Sequence, residues 1–242
     1  MTVMDYTKKL LPLEAGGKFI QKHYPNCQGA LLAGSVVRGE ATEMSDLDIV
    51  IFDEKINSAY RESHVEFGWP IEVFAHNLTS YKFYFESDYL RARPSLPRMV
   101  SEGIVLKDDG IIESIKNEAD ILLEKGPEKW ILQTITTKRY FLTDTLDDFL
   151  GCSDRAEELF IANTIAVLLS EFVLRSNCKW MGDSKWIVRS LKQFDENYAK
   201  RFVEAFDRYY KYGEKNLIIN LVDKALKPHG GRLFNGYSIG KE

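Results

Sequence analysis

The stretch AGSVVRGEATEMSDLDIV, residues 33–50, joins a small glycine–serine turn to two aspartates one residue apart. Asp46 and Asp48 sit in SDLDIVIF, where apolar residues between and after them spell a buried strand. In a strand, alternate side chains share a face, so the two carboxylates point the same way with Cα atoms ~7 Å apart. Like charges at that distance repel by roughly 2–3 kcal/mol at an effective dielectric of ~20. A strand serving stability alone would avoid that cost. A divalent cation between the two turns repulsion into attraction, and hard oxygen ligands suit Mg²⁺.

The glycine–serine turn supplies a partner for such a cation. Gly34 lets backbone approach a bulky anion closely, and Ser35 adds a hydroxyl donor beside its amide. If VVRG opens a helix, its N-terminal amides point at the anion, and Arg38 adds a charge-assisted fork to phosphate oxygens. Ser45 caps or orients the first aspartate. A phosphate cradle next to paired metal carboxylates means a nucleoside triphosphate handled with Mg²⁺.

The pattern G-S-x-x-R-G followed by S-D-L-D, carried by Gly34, Ser35, Arg38, Gly39, Ser45, Asp46 and Asp48, resembles the nucleotidyltransferases of the DNA polymerase beta superfamily. Within them the chain is most similar to the antibiotic adenylyltransferases of the kanamycin and streptomycin/spectinomycin types, over roughly residues 30–110. The resemblance implies an α+β chain: an N-terminal nucleotidyltransferase fold, a small mixed sheet flanked by helices, followed by an all-α helical bundle. It implies AMP transfer from ATP to a hydroxyl of a small molecule, such as an aminoglycoside or related antibiotic, with release of pyrophosphate at a two-metal Mg²⁺ site. A third metal carboxylate is implied from a neighbouring strand, and GWPIEVFAH offers Glu72. The general base of the kanamycin type comes from early in the helical domain. In KRYFLTDTLDDFLG the first choice is Asp144, with Asp147 and Asp148 on the same helical face. Such an acidic patch attracts a cationic substrate. WMGDSKWIVRSL resembles a glycine–serine–lysine stretch of the streptomycin/spectinomycin relatives, which makes Lys185, with Arg189 a turn further on, a ligand of the nucleotide phosphates.

The chain of 242 residues is 45% hydrophobic and 28% charged, an ordinary globular composition. Residues 1–110 hold 12 basic and 16 acidic side chains (net −4) and the remainder 20 of each, so neither half has the basic excess of a nucleic-acid binder. Cys27, Cys152 and Cys178 show no metal-ligand or disulfide spacing and are read as small core residues in a reducing cytoplasm. No leader pattern and no continuous apolar run of ~18 residues is found, so no membrane partner is expected.

Along the chain, residues 6–24 predict an amphipathic helix broken near Leu11–Pro12 and again at Gly16–Gly17. Residues 28–34 predict a strand, 36–42 a short helix, 45–52 and 70–76 neighbouring acidic strands, and 53–69 a polar connection. Residues 79–92 predict a helix, and MVSEGIVLKDD a helix end, a turn and an edge strand. Beyond Gly110 apolar residues recur at three and four, predicting five or six bundled helices and a glycine-rich irregular tail after Lys227. The domains are therefore placed at 1–112 and 113–242. Trp180 and Trp186 are expected to pack the bundle, and His76 and His229 to be structural. Two further functions stay open at this point: a regulatory, toxin–antitoxin-type nucleotidyltransferase acting on a partner protein, and a nucleotide-binding protein without turnover. A homodimer is also open, since some relatives build the site from two protomers.

Overall fold

The strands β1 (Gly29–Ala33), β2 (Leu47–Phe52), β3 (Tyr60–Glu66), β4 (Trp69–His76) and β5 (Ile104–Asp108) form one mixed sheet in the order β3-β4-β2-β1-β5, and β1, β2 and β4 come from short apolar runs. The computed structural model describes residues 9–241, in which the chain divides into two compact units between Lys125 and Gly126. In the first unit β2 is antiparallel to β1 and parallel to β4, which sets Asp48 opposite Glu72. Helix α1 (Pro12–His23) covers one face, where Ala15 and Phe19 meet Leu32, Ile49, Ile51, Ile71 and Val73. Helices α2 (Ser80–Leu90), α3 (Ser95–Glu102) and α4 (Ile112–Lys125) cover the other, where Tyr81, Val100, Ile112 and Ile115 meet Leu31, Val50 and Phe52. Each fully buried Leu or Ile contributes about 1.5–3 kcal/mol. A one-residue slip of β2 would drive Asp48 into the α1 core in place of Ile49, so the register is firmly set.

Several local expectations change. Helix α1 starts at Pro12, which suits a first-turn proline, but runs unbroken through Gly16–Gly17. Gly16 is where the helix presses on β5, since a Cβ there would lie 3.0 Å from Leu106 Cδ1. Residues 6–8 of the expected helix lie outside the described residues. The expected helix over 36–42 is a single turn. Glu40 N–H donates to Ser35 O at 2.9 Å and Gly39 N–H to Val36 O at 3.4 Å, with Gly39 at φ +70°, a Schellman closure that stops the helix after one turn. The polar connection 53–69 contains β3, an edge strand whose side chains are polar on both faces. Helix α4 packs in the first unit, so that unit extends to Lys125 rather than to residue 112.

The second unit contains α5 (Leu132–Gly151), α6 (Arg155–Ser176), α7 (Lys185–Phe194), α8 (Glu196–Tyr212) and α9 (Asn216–Leu226), around a core that includes Leu142, Phe149, Ile165, Leu169, Phe172, Phe206 and Tyr209. Asp154 and Asp195 cap α6 and α8 by accepting first-turn amides, and Gly213 ends α8 in the left-handed conformation. By length and composition α6 is apolar enough to cross a membrane, yet Ala162, Ile165, Leu169 and Phe172 along it are spent on this core. The glycine-rich tail is irregular after a 3₁₀ turn (Lys227–His229), but it is tied down. Arg139 donates to the carbonyls of Gly230 and Gly231, Leu233 N–H donates to Thr143 Oγ1, and Tyr237 stacks on Tyr140 at 4.0 Å. The cysteines are free, Cys27 buried and the other two half-buried.

Candidate functional site

Asp46 immediately precedes β2, Asp48 is its second residue, and Glu72 is the register partner of Asp48 on β4. Each of the three offers an oxygen within 4.8 Å of the others. Asp48 is half-buried, and its carboxyl is pushed up to about 6 from the ordinary 3.8. Burial is the largest cause, and the charges of Asp46 and Glu72 add to it, against the opposing guanidiniums of Arg38 and Arg61. Three carboxylate oxygens converging on one point are a hard-donor set that fits Mg²⁺.

Gly34 meets a second constraint besides the expected approach to an anion. It is at φ +80°, and a Cβ there would overlap the Asp48 carboxylate, lying 2.8 Å from its Cγ. The missing side chain thus makes room for the Asp48 carboxylate itself. Ser35 Oγ donates to Ser45 Oγ at 3.3 Å, and Ser45 Oγ accepts Thr42 N–H at 2.8 Å. That pair ties the glycine–serine turn to the turn that delivers Asp46. Because the helix ends after one turn, no helix dipole is available at Ser35. Arg38 donates to Glu40 at 3.2 Å and to Glu102 at 3.0 Å, and its charge is felt at Asp48.

Arg61, on β3, was not singled out from sequence. Its guanidinium bonds Glu72 Oε2 and lies 4.9 Å over the Phe74 ring. YRESHVE carries no hydrophobic alternation to mark it as a strand beside β4, and so gives no signal for Arg61. His76 is buried at the end of β4 against Tyr84 and Phe52, and burial holds it down at about 4, as befits a structural histidine.

In the second unit, Asp144 is half-buried on α5, while Asp147 lies 3.7 Å from Arg232 and Asp148 is exposed. Arg232 also binds Asp223, so part of the acidic stripe is neutralised from the tail. Lys185 is the exposed first residue of α7, and Arg189 stacks over Trp186 at 4.8 Å. The loop before α7 is under constraint: Ser184 has φ +50°, and a Cβ on Gly182 would run into the Trp186 carbonyl.

Residues 18–95 match the family model described as a nucleotidyltransferase domain, and this span holds Gly34, Ser35, Arg38, Ser45, Asp46, Asp48 and Glu72. This part of the chain is similar to nucleotidyltransferase domains. The nucleotidyltransferase-like protein from Exiguobacterium sibiricum 255-15 is a similar solved structure, at 10% identity and a TM-score of 0.44, over 89% of this chain and 74% of that one. No curated protein matches the sequence. The sheet with its helices, followed by further helices, is consistent with an α+β nucleotidyltransferase fold with a helical C-terminal region.

Proposed function

We propose that this chain is an adenylyltransferase that moves AMP from ATP to a hydroxyl of a small cationic molecule, an aminoglycoside or related antibiotic, in the cytoplasm. The observation that supports it most is the convergence of Asp46, Asp48 and Glu72 within a nucleotidyltransferase domain. These three residues would hold Mg²⁺, in a two-metal arrangement, and when bound the metal neutralises triphosphate charge. For Glu72 to take part fully, Arg61 shares or releases its carboxylate. The Ser35 hydroxyl and the amides of its turn bind phosphate oxygens. Arg38 exchanges Glu40 and Glu102 for phosphate, and Lys185 and Arg189 add further cationic contacts. The constrained loop that presents Lys185 supports that role, since strain persists where function requires it. Asp144 takes the proton of the acceptor hydroxyl as its oxygen bonds to the α-phosphorus, and the bond to the leaving pyrophosphate breaks. Asp147 and Asp148 draw the cationic acceptor.

The test is pyrophosphate release from ATP and Mg²⁺ across an aminoglycoside panel. Acceptor-dependent release, absent in Asp48→Asn, is the expected result. ATP uptake without turnover on any hydroxyl acceptor overturns the proposed transfer and leaves nucleotide binding. AMP labelling of a co-purified protein in place of a small molecule would instead identify a regulatory modifier.

A further inference from the structure

On the opposite face of the same sheet lies a second cluster of metal-ligating groups that phosphate chemistry does not use. His23 is the last residue of α1, and His64 and Glu66 are two apart on β3, hence on one face. Each offers one donor atom within 4.8 Å of the other two, and all three are half-buried. His23 Nε2 lies 2.8 Å from Glu66 Oε1, so one proton is shared there, and Lys22 holds the same carboxylate at 2.9 and 3.0 Å. The two imidazoles face each other at 5.2 Å between centroids, over the fully buried ring of Phe19. Nε2 of His64 is buried and has no hydrogen-bond partner: Glu62 Oε1 is 3.0 Å away but outside bonding geometry. Glu62 is itself oriented by the hydroxyl of Tyr24.

An orphaned imidazole nitrogen, a second imidazole and a carboxylate form a nitrogen-rich donor set, unlike the all-oxygen set of Asp46, Asp48 and Glu72. Imidazole suits Zn²⁺, whereas carboxylate suits Mg²⁺. Tetrahedral Zn²⁺ with bonds near 2.0–2.1 Å needs donors about 3.3 Å apart. The His23–Glu66 pair is already closer than that, and the remaining closure is within side-chain rotation. We infer that His23, His64 and Glu66 bind one Zn²⁺ ion, with Glu62 or water as the fourth donor, and that the metal staples the end of α1 to the edge strand β3. The ion takes the place of the proton between His23 and Glu66 and gives His64 Nε2 its missing partner. Tyr24 and Lys22 orient the two carboxylates from behind, the usual arrangement around a zinc ligand.

The experiment is titration of ZnCl₂ into the full chain by calorimetry, near pH 7.5, with thermal melts of the same samples. It is run on the natural sequence and on Asp48→Asn, His23→Gln and His64→Gln. Expected are one equivalent of Zn²⁺ and a raised melting temperature for the natural sequence and for Asp48→Asn. Each histidine variant should bind about tenfold or more weakly and lose the thermal shift. If His64→Gln does not fold, His23→Gln at the helix end decides alone. Absence of zinc uptake, or uptake removed by Asp48→Asn and retained by the histidine variants, overturns the site.

Discussion

Two carboxylates, one in each unit, show how differently a protein treats an acid matched by cations and one set among other acids. Glu158 on α6 is buried, and its oxygens are matched: Lys215 binds Oε1, while Arg155 and the Tyr209 hydroxyl bind Oε2 at 3.0 and 2.9 Å. Those partners, Lys215 foremost, hold its carboxyl below the ordinary value. Asp48 is also withdrawn from water, but its nearest company is two more acids, and its carboxyl is pushed up to about 6. Glu158 is complete within the protein. At Asp48 the guanidiniums of Arg38 and Arg61 do not offset burial and the neighbouring acids, which is the imbalance the proposed metal would correct.

The largest expected effect separates the two directly. Asp48→Asn should lower nucleotide transfer about a thousandfold or more by removing a metal ligand. The same change should stabilise the metal-free protein at neutral pH by about 2–3 kcal/mol, since each tenfold change in proton affinity is worth about 1.4 kcal/mol. The pH dependence has opposite signs at the two sites. Because the folded value of Asp48 lies above the unfolded one, the metal-free natural protein loses stability as pH rises from about 3.8 through about 6. Glu158, with a lowered value, contributes stability above about 4.5 that is lost as pH falls below it. Denaturant titrations of metal-free Asp48→Asn and of the natural sequence, between pH 4 and 7.5, check this: the difference should grow with pH.

Next in size, Glu158→Gln should cost about 3 kcal/mol of stability by leaving Lys215 and Arg155 short of a counter-charge, with transfer per folded molecule unchanged. Chemical denaturation followed by a turnover assay on the folded fraction reads both. Gly34→Ala should come third. A methyl group at φ +80° must displace the Asp48 carboxylate, so turnover should fall about a hundredfold while the far-ultraviolet circular dichroism stays the same. The smallest is Arg61→Gln. Freeing Glu72 from its guanidinium raises the negative charge of the cluster, so the Mg²⁺ concentration for half-maximal nucleotide binding should drop a few-fold. A rise instead would make Arg61 a positioning residue for Glu72.

The acidic strands were legible because LDIVIF and IEVFAH are apolar enough to declare strands, and period two then fixes which residues share a face with Asp48. The resemblance implies only that Glu72 lies on a strand neighbouring Asp48; the register adds that the two strands run parallel with the two acids opposite. Strand β3 was illegible for a physical reason. In YRESHVE the residues facing α1 are Glu62, His64 and Glu66, so hydrophobic alternation is absent on the face toward the helix. Missing β3 hid both Arg61 and the histidine cluster. The short helix after the glycine–serine turn failed because Gly39 closes it at once, a stop signal that sits inside the motif itself. The sequence points to Gly34 only as room for an approaching anion, and the coordinates add that Asp48 occupies its empty side-chain volume.

Calorimetric titration of ATP into the metal-free full chain, with and without Mg²⁺, tests the role of the acidic cluster most directly. Saturable ATP binding that requires Mg²⁺ and disappears in Asp48→Asn is the predicted result. Binding of equal strength without Mg²⁺, or undiminished in Asp48→Asn, contradicts it.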